Sequence, residues 1–212
     1  EANNRIRELE GEERRERMRI LLEITEQIRP NIPDILEVES YLADVDFLRA
    51  KALFSIDIQA LVPEVYDRSL VDWREAFHPV LWLKFRRLGK MVIPLSIRLI
   101  DNRILLISGP NAGGKSVCLK TVALLQYMMQ CGLAVPMHET SQMGIFHKLL
   151  IDIGDEQSIE DDLSTYSSHL RNMKYFVRNA NSRTLLLIDE FGTGTEPMIG
   201  GAIAEAVLTQ LN

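Results

Sequence analysis

Ile104-Leu105-Leu106-Ile107-Ser108-Gly109-Pro110-Asn111-Ala112-Gly113-Gly114-Lys115-Ser116 is the stretch on which the reading turns. A short apolar run, expected to be a buried strand over 104–108, enters a glycine-rich loop. A helix is expected to follow from Ser116 to Gln130. Gly109, Gly114, Lys115 and Ser116 have the phosphate-loop spacing of Gly, four residues, Gly-Lys-Ser/Thr. That spacing has a chemical reason. Glycines let backbone N–H groups turn inward around an anion, and a helix N-terminus adds partial positive charge. A lysine at this point reaches the β- and γ-phosphates, and the serine hydroxyl ligates Mg²⁺. The stretch therefore predicts a nucleotide-binding loop rather than a plain glycine turn.

Such a loop needs acids elsewhere. Thr184-Leu185-Leu186-Leu187-Ile188-Asp189-Glu190 is a second apolar strand, and it ends in two carboxylates. Asp189 can hold Mg²⁺, usually through water, and Glu190 can orient or deprotonate an attacking water. Standing alone, two adjacent acids would as readily cap the next loop; the phosphate loop upstream favours catalysis. Ser164-Thr165 lies between an acidic loop, Glu156 to Ser164, and a helix expected from Ser167 to Asn179. Its hydroxyls and the free N–H groups there suit a bound phosphate or a local cap equally. His169 reads as an exposed helix residue rather than a catalytic base.

Around these motifs the chain has an ordinary composition. Its 212 residues, 46% hydrophobic and 25% charged, suffice for one sizeable domain with a helical appendage. No apolar run approaches the roughly 20 residues of a membrane span, and no secretory signal opens the sequence. Cys118 and Cys131 form no metal-ligand pattern and suit a reducing cytoplasm. A net charge of −6 argues against nucleic-acid binding by the whole surface but leaves room for a local basic patch.

Residues 1–62 read as a helical pair, a lever rather than a catalytic unit. In the first helix Arg14, Arg15, Arg17 and Arg19 are interleaved with Glu10, Glu12, Glu13 and Glu16. A DNA-touching arm is one reading, and a solvated helix with i,i+4 ion pairs is the favoured one. Pro30 and Pro33 punctuate the chain, and Asp34 is the expected N-cap of a second helix to about Ile58. Its stripe of Ile35, Val38, Leu42, Val45 and Leu48 is expected to pack on a neighbouring helix. The sequence opens abruptly inside a helical pattern, which predicts a piece of a longer protein. Residues 63–212 read as the nucleotide-binding domain. Pro63 to Asp72 is the connector, and strands are expected at Val80–Phe85, Met91–Ile93, Leu95–Ile100 and His147–Ile153. Short antiparallel strands before the phosphate loop suit a cap over a base. There Val92, Ile93, Trp73 or His78 would contact adenine or serve the core. Alternating strands and helices predict an α/β fold with a mostly parallel sheet and that antiparallel β cap.

Gly109-Pro110-Asn111-Ala112-Gly113-Gly114-Lys115-Ser116 resembles the phosphate loop of the MutS family, with its Pro-Asn and double glycine. Ala134-Val135-Pro136, Ser164-Thr165-Tyr166 and Asp189-Glu190-Phe191-Gly192-Thr193-Gly194-Thr195 follow in that family's order. Asp155-Glu156-Gln157-Ser158-Ile159, Ser167-Ser168-His169 and Thr195-Glu196-Pro197 resemble its bacterial MutS-two branch rather than the mismatch-repair branch. The resemblance runs from about Leu42 to the end.

It implies a P-loop NTPase of ABC-ATPase type that uses ATP and Mg²⁺ and works as a homodimer. Gly109, Pro110, Asn111, Ala112, Gly113, Gly114, Lys115, Ser116 and Val117 would then hold the nucleotide. Lys115 and Glu190 would serve catalysis, and Ser116 and Asp189 the metal. Ser164 would reach the γ-phosphate held by the partner's Lys115. The lever would lead to a clamp that embraces branched or double-stranded DNA. The full protein would suppress homologous recombination and carry a C-terminal endonuclease domain. Some members act on collided ribosomes. By the same resemblance, the chain is expected to stop before the strand and histidine switch that follow the acidic pair. Most of the clamp and all of the nuclease domain would also be missing. Two rival readings are a nucleotide-dependent binding module, with the ribosome as target, and a small-molecule kinase.

Overall fold

The computed structural model describes residues 2–110, 113–153, 162–189 and 196–212; for 162–168 and 197 it describes the backbone alone. Asn111, Ala112 and Glu190 lie outside the described residues, as do most of the acidic loop, the motif over 155–159 and the turn over 191–195.

Residues 1–52 form one unit. Helix α1 spans Ala2–Ile28, a 3-10 turn takes Arg29–Asn31, and α2 spans Ile32–Asp57. The arginines of α1 are engaged along the helix: Arg17 with Glu13, Arg19 with both Glu16 and Glu23, each at 2.5 Å. That is the solvated-helix pattern, worth about 0.3–0.5 kcal/mol a pair at such exposed positions. The hydrogen bond from Arg19 holds the Glu16 carboxyl below its ordinary range. Asp34 is not the cap. α2 starts earlier because the Ile32 N–H donates to Arg29 O, so Asp34 falls in the first turn, where the helix dipole still favours a carboxylate. The expected packing of the α2 stripe is also corrected: Ile35, Val38, Leu42 and Leu48 are exposed. Ile28 and Ile32 both keep helical φ/ψ, so no turn reverses the chain to bring α1 back over that stripe.

Residues 53–212 form the second unit. Its strands are β1 Glu64–Tyr66, β2 Val71–Ala76, β3 Leu95–Leu99, β4 Gln142–Gly144, β5 Lys148–Asp152 and β6 Thr184–Ile188. Its helices are α3 Pro79–Arg87, α4 Lys115–Gln130, α5 Asp162–Asn179 and α6 Pro197–Leu211. One sheet has the order β1-β4-β2-β3, with β4 parallel to β1 and antiparallel to β2, and β2 antiparallel to β3. The other is the parallel pair β5–β6. The antiparallel β2–β3 pair precedes residue 104 in the chain. The single, mostly parallel sheet does not form among the described residues, where parallel pairing is confined to β1–β4 and β5–β6.

Three strand expectations fail. The run at 80–85 is helix α3: Pro79 occupies its first turn, where a missing N–H costs nothing. Lys84, Arg86 and Arg87 close it, complementing the negative end of its dipole. The apolar run at 104–108 has no ladder partner among the described residues, and Leu106 is 77% exposed. A strand exists by pairing, and among the described residues β6 pairs with β5 alone. Met91–Ile93 likewise has no ladder partner among the described residues.

The core sits where α4 crosses the strands. Val122, Leu125 and Met129, at helical spacing, join Trp73 of β2, Met143 of β4, and Leu185 and Leu187 of β6. Two amides of α4 tie it to the backbone beyond. Gln126 Nε2 donates to Gly144 O at 2.8 Å; Gln130 Nε2 donates to Phe146 O at 2.9 Å and its Oε1 accepts from Phe146 N at 3.0 Å. The helix that opens at Lys115 is thereby held to β4 and to the segment that leads from it to β5.

Candidate nucleotide site

The loop is shaped by local backbone chemistry. Gly113 N–H donates to Pro110 O at 2.9 Å, closing a turn, and Gly114 follows at φ 84°, ψ 16°. Only a residue without Cβ adopts that left-handed conformation freely. Gly114 is the N-cap of α4, and its carbonyl accepts the first helical bond, from Cys118 N–H at 2.9 Å. The first N–H groups of α4 have no partner within the helix, so its start presents donors and the positive end of the dipole.

Lys115 is the first residue of α4. Its ammonium lies back across the loop, donating to Gly109 O at 2.7 Å and to Pro110 O at 3.0 Å. Ser116 is half-buried on the same turn and Val117 is exposed. Lys115 and Ser116 thus both stand on the opening turn of α4. These residue types suit a polyphosphate.

Asp189 is buried one residue beyond β6. Its N–H donates to Asp152 O at 2.9 Å, continuing the parallel ladder past the strand. α4 packs against β6, so the helix that starts at Lys115 and the strand that ends one residue before Asp189 are neighbours. Glu190 falls outside the described residues; Ser164 lies on the backbone of α5, its side chain not described. Among the described residues no three His, Cys, Asp or Glu side chains converge as a metal cage. Ser116 and Asp189 are hard oxygen donors of the kind Mg²⁺ takes when phosphates and water complete its shell.

His169 is not an exposed helix residue. It is half-buried, with Nδ1 2.7 Å from Asp152 Oδ2, while Asn172 Nδ2 donates to Asp152 Oδ1 at 2.9 Å. Sequence reading passed over Asp152 and Asn172. The available signal was a carboxylate ending a strand and polar residues at i and i+3 on a helix.

Of the proposed adenine neighbours, Trp73 is 1% exposed and belongs to the core, whereas Ile93 is 90% exposed. His78 caps α3, its Nδ1 is buried without a partner among the described residues, and burial pushes its imidazolium pKa down. A base with a lowered folded pKa binds fewer protons folded than unfolded, so stability falls as pH drops through the ordinary value near 6.5. The melting temperature is expected to fall between pH 7.5 and pH 5, and His78→Gln to flatten that slope. An unchanged slope in thermal melts of the variant would refute the assignment.

The family description MutS domain V matches residues 105–212, from the second residue of the apolar run through α6. The chain belongs to the MutS family. Its relatives include the Endonuclease MutS2 of Finegoldia magna, 43% identical over 98% of this chain and 26% of that protein. Those of Gemmatimonas aurantiaca and Caldanaerobacter subterraneus are 42% and 40% identical, each over 100% of this chain and 26% of theirs. This MutS-family chain therefore groups with the MutS2 branch and spans about a quarter of the length of those relatives. Domain V is the nucleotide-binding, ABC-type ATPase domain of the MutS family, and α4, β5, α5 and β6 all fall within the match.

Proposed function

We propose that this chain is the ATPase core, with part of a helical lever, of a MutS2-type DNA-acting protein. One observation supports the reading: a left-handed cap at Gly114 opens α4 at Lys115, so the lysine and the opening N–H groups of the helix stand at the same helix end. The β- and γ-phosphates would lie on those N–H groups, and the Lys115 ammonium would exchange the Gly109 and Pro110 carbonyls for phosphate oxygens. Ser116 and Asp189 would hold Mg²⁺, which neutralises charge on the phosphates during transfer. Glu190 would take the proton of the attacking water.

Residues 1–62 are proposed as the returning end of the lever and 63–212 as the ATPase domain. ATP binding would close a homodimer in which Ser164 completes the partner's site, and hydrolysis would reopen it. Such a cycle moves attached helices only because ATP binds the closed state more tightly. On this reading the complete protein embraces branched or double-stranded DNA and suppresses recombination in the cytoplasm. The word endonuclease is part of the relatives' name; Lys115, Ser116 and Asp189 bear on nucleotide chemistry. No described helix is long and apolar enough to cross a membrane.

The test is metal dependence. ATP turnover by the complete protein is expected to vanish in excess EDTA and return with Mg²⁺. Asp189→Asn should raise the Mg²⁺ needed for half-maximal rate on the order of tenfold. Metal-independent turnover, or an unaltered Mg²⁺ requirement in the variant, would sink the assignment.

A further inference from the structure

We propose that Asp152, His169 and Asn172 form a clamp that positions the start of α5, which carries Ser164 and Thr165, relative to Asp189. This rests on the ATPase reading and goes beyond it, because these three residues belong to neither the phosphate loop nor the acidic pair. The geometry begins with the β5–β6 ladder, in which Asp152 is the partner of Ile188. One residue further, Asp189 N–H donates to the Asp152 carbonyl at 2.9 Å. The main chain of Asp152 therefore fixes the height of Asp189 above the sheet.

The side chain of the same residue reaches the other way. Its carboxylate is 8% exposed and accepts from both ring and amide, His169 Nδ1 at 2.7 Å on Oδ2 and Asn172 Nδ2 at 2.9 Å on Oδ1. With Asp152 ionised, the His169 tautomer in this contact carries its proton on Nδ1. His169 and Asn172 are three apart on α5 and so share one helix face. α5 packs on β5 along that side. A carboxylate out of water requires these partners, since each lone pair left unmatched there is costly. Asp152 thus joins a helix to a strand tip through short, charge-assisted bonds with little freedom to shift.

The consequence is positional. Ser164 lies five residues before His169 on the same helix, a little over one turn away. Rotation or sliding of α5 would move that turn while leaving the phosphate loop on α4 untouched. The clamp is therefore expected to affect the catalytic step and not the capture of nucleotide. Residues that act this way position the machinery; they do not touch the substrate.

The experiment uses the complete protein and three variants, His169→Ala, His169→Asn and Lys115→Ala. In steady-state ATP hydrolysis, His169→Ala is expected to lower kcat about tenfold with KM for ATP within twofold. Asn places an amide N–H where imidazole Nδ1 stood, so His169→Asn should restore kcat to within about threefold of wild type. Amide hydrogen exchange in the first turns of α5 should quicken at least tenfold in His169→Ala and return in His169→Asn. A wild-type kcat in His169→Ala, or parallel losses in kcat and KM that asparagine does not rescue, overturns the clamp. Wild-type turnover by Lys115→Ala instead overturns the nucleotide reading, and the exchange measurement still decides the clamp.

Discussion

Replacing Lys115 with alanine is expected to weaken Mg·ATP binding by on the order of 100-fold, about 3 kcal/mol. The ammonium is the one side-chain cation the phosphate-loop pattern supplies, and it stands at the end of α4 whose N–H groups have no partner within the helix. Its removal leaves the dipole and the backbone donors in place, so binding falls without vanishing. Inside the protein, the substitution gives up the ammonium's bonds to Gly109 O and Pro110 O. Both carbonyls lie in the exposed loop, where water replaces the ammonium, so the melting temperature should move little. Calorimetric titration of ATP into the complete protein decides the matter. A dissociation constant within threefold of wild type would exclude Lys115 from the site.

Gly144→Ala is expected to cost at least about 3 kcal/mol and to prevent folding at working temperature. A Cβ at Gly144 would stand 2.2 Å from Arg68 O, 2.4 Å from Leu70 N and 2.8 Å from Leu70 O. All three are backbone atoms, so no rotamer change relieves them. Moving Gly144 away would break its N–H bond to Leu70 O at 2.7 Å and the bond from buried Gln126 to its carbonyl. The glycine is required by close approach of two chain segments and not by a left-handed φ. Urea unfolding is the measurement, and a loss below 1 kcal/mol would show that the segments separate more easily than their bonding implies.

Gly144 also illustrates what a sequence conceals. Nothing in Gln142-Met143-Gly144 announces β4, because its partners are Tyr66 and Val71, more than seventy residues away. α3 was hidden differently. Val80 to Phe85 is apolar enough for a buried strand, and periodicity cannot separate that from a short helix. The deciding clues were the proline at its start and the basic end at Lys84, Arg86 and Arg87. His169 was misjudged because its exposure depends on Asp152, seventeen residues away, on a different element.

By itself the sequence determined the order and type of the longer elements α1, α2, α4, α5 and β6. Helical periodicity, capping residues and apolar runs act within a few residues of one another. It also determined how α4 begins, because the left-handed cap at Gly114 and the position of Lys115 are local properties of Gly-Gly-Lys-Ser. Only the tertiary structure decided which runs became paired strands, for pairing needs a neighbour that the run does not contain. It alone revealed that Asp152 stands between Asp189 and α5. A buried carboxylate is recognised by what surrounds it, and those surroundings are brought together by folding.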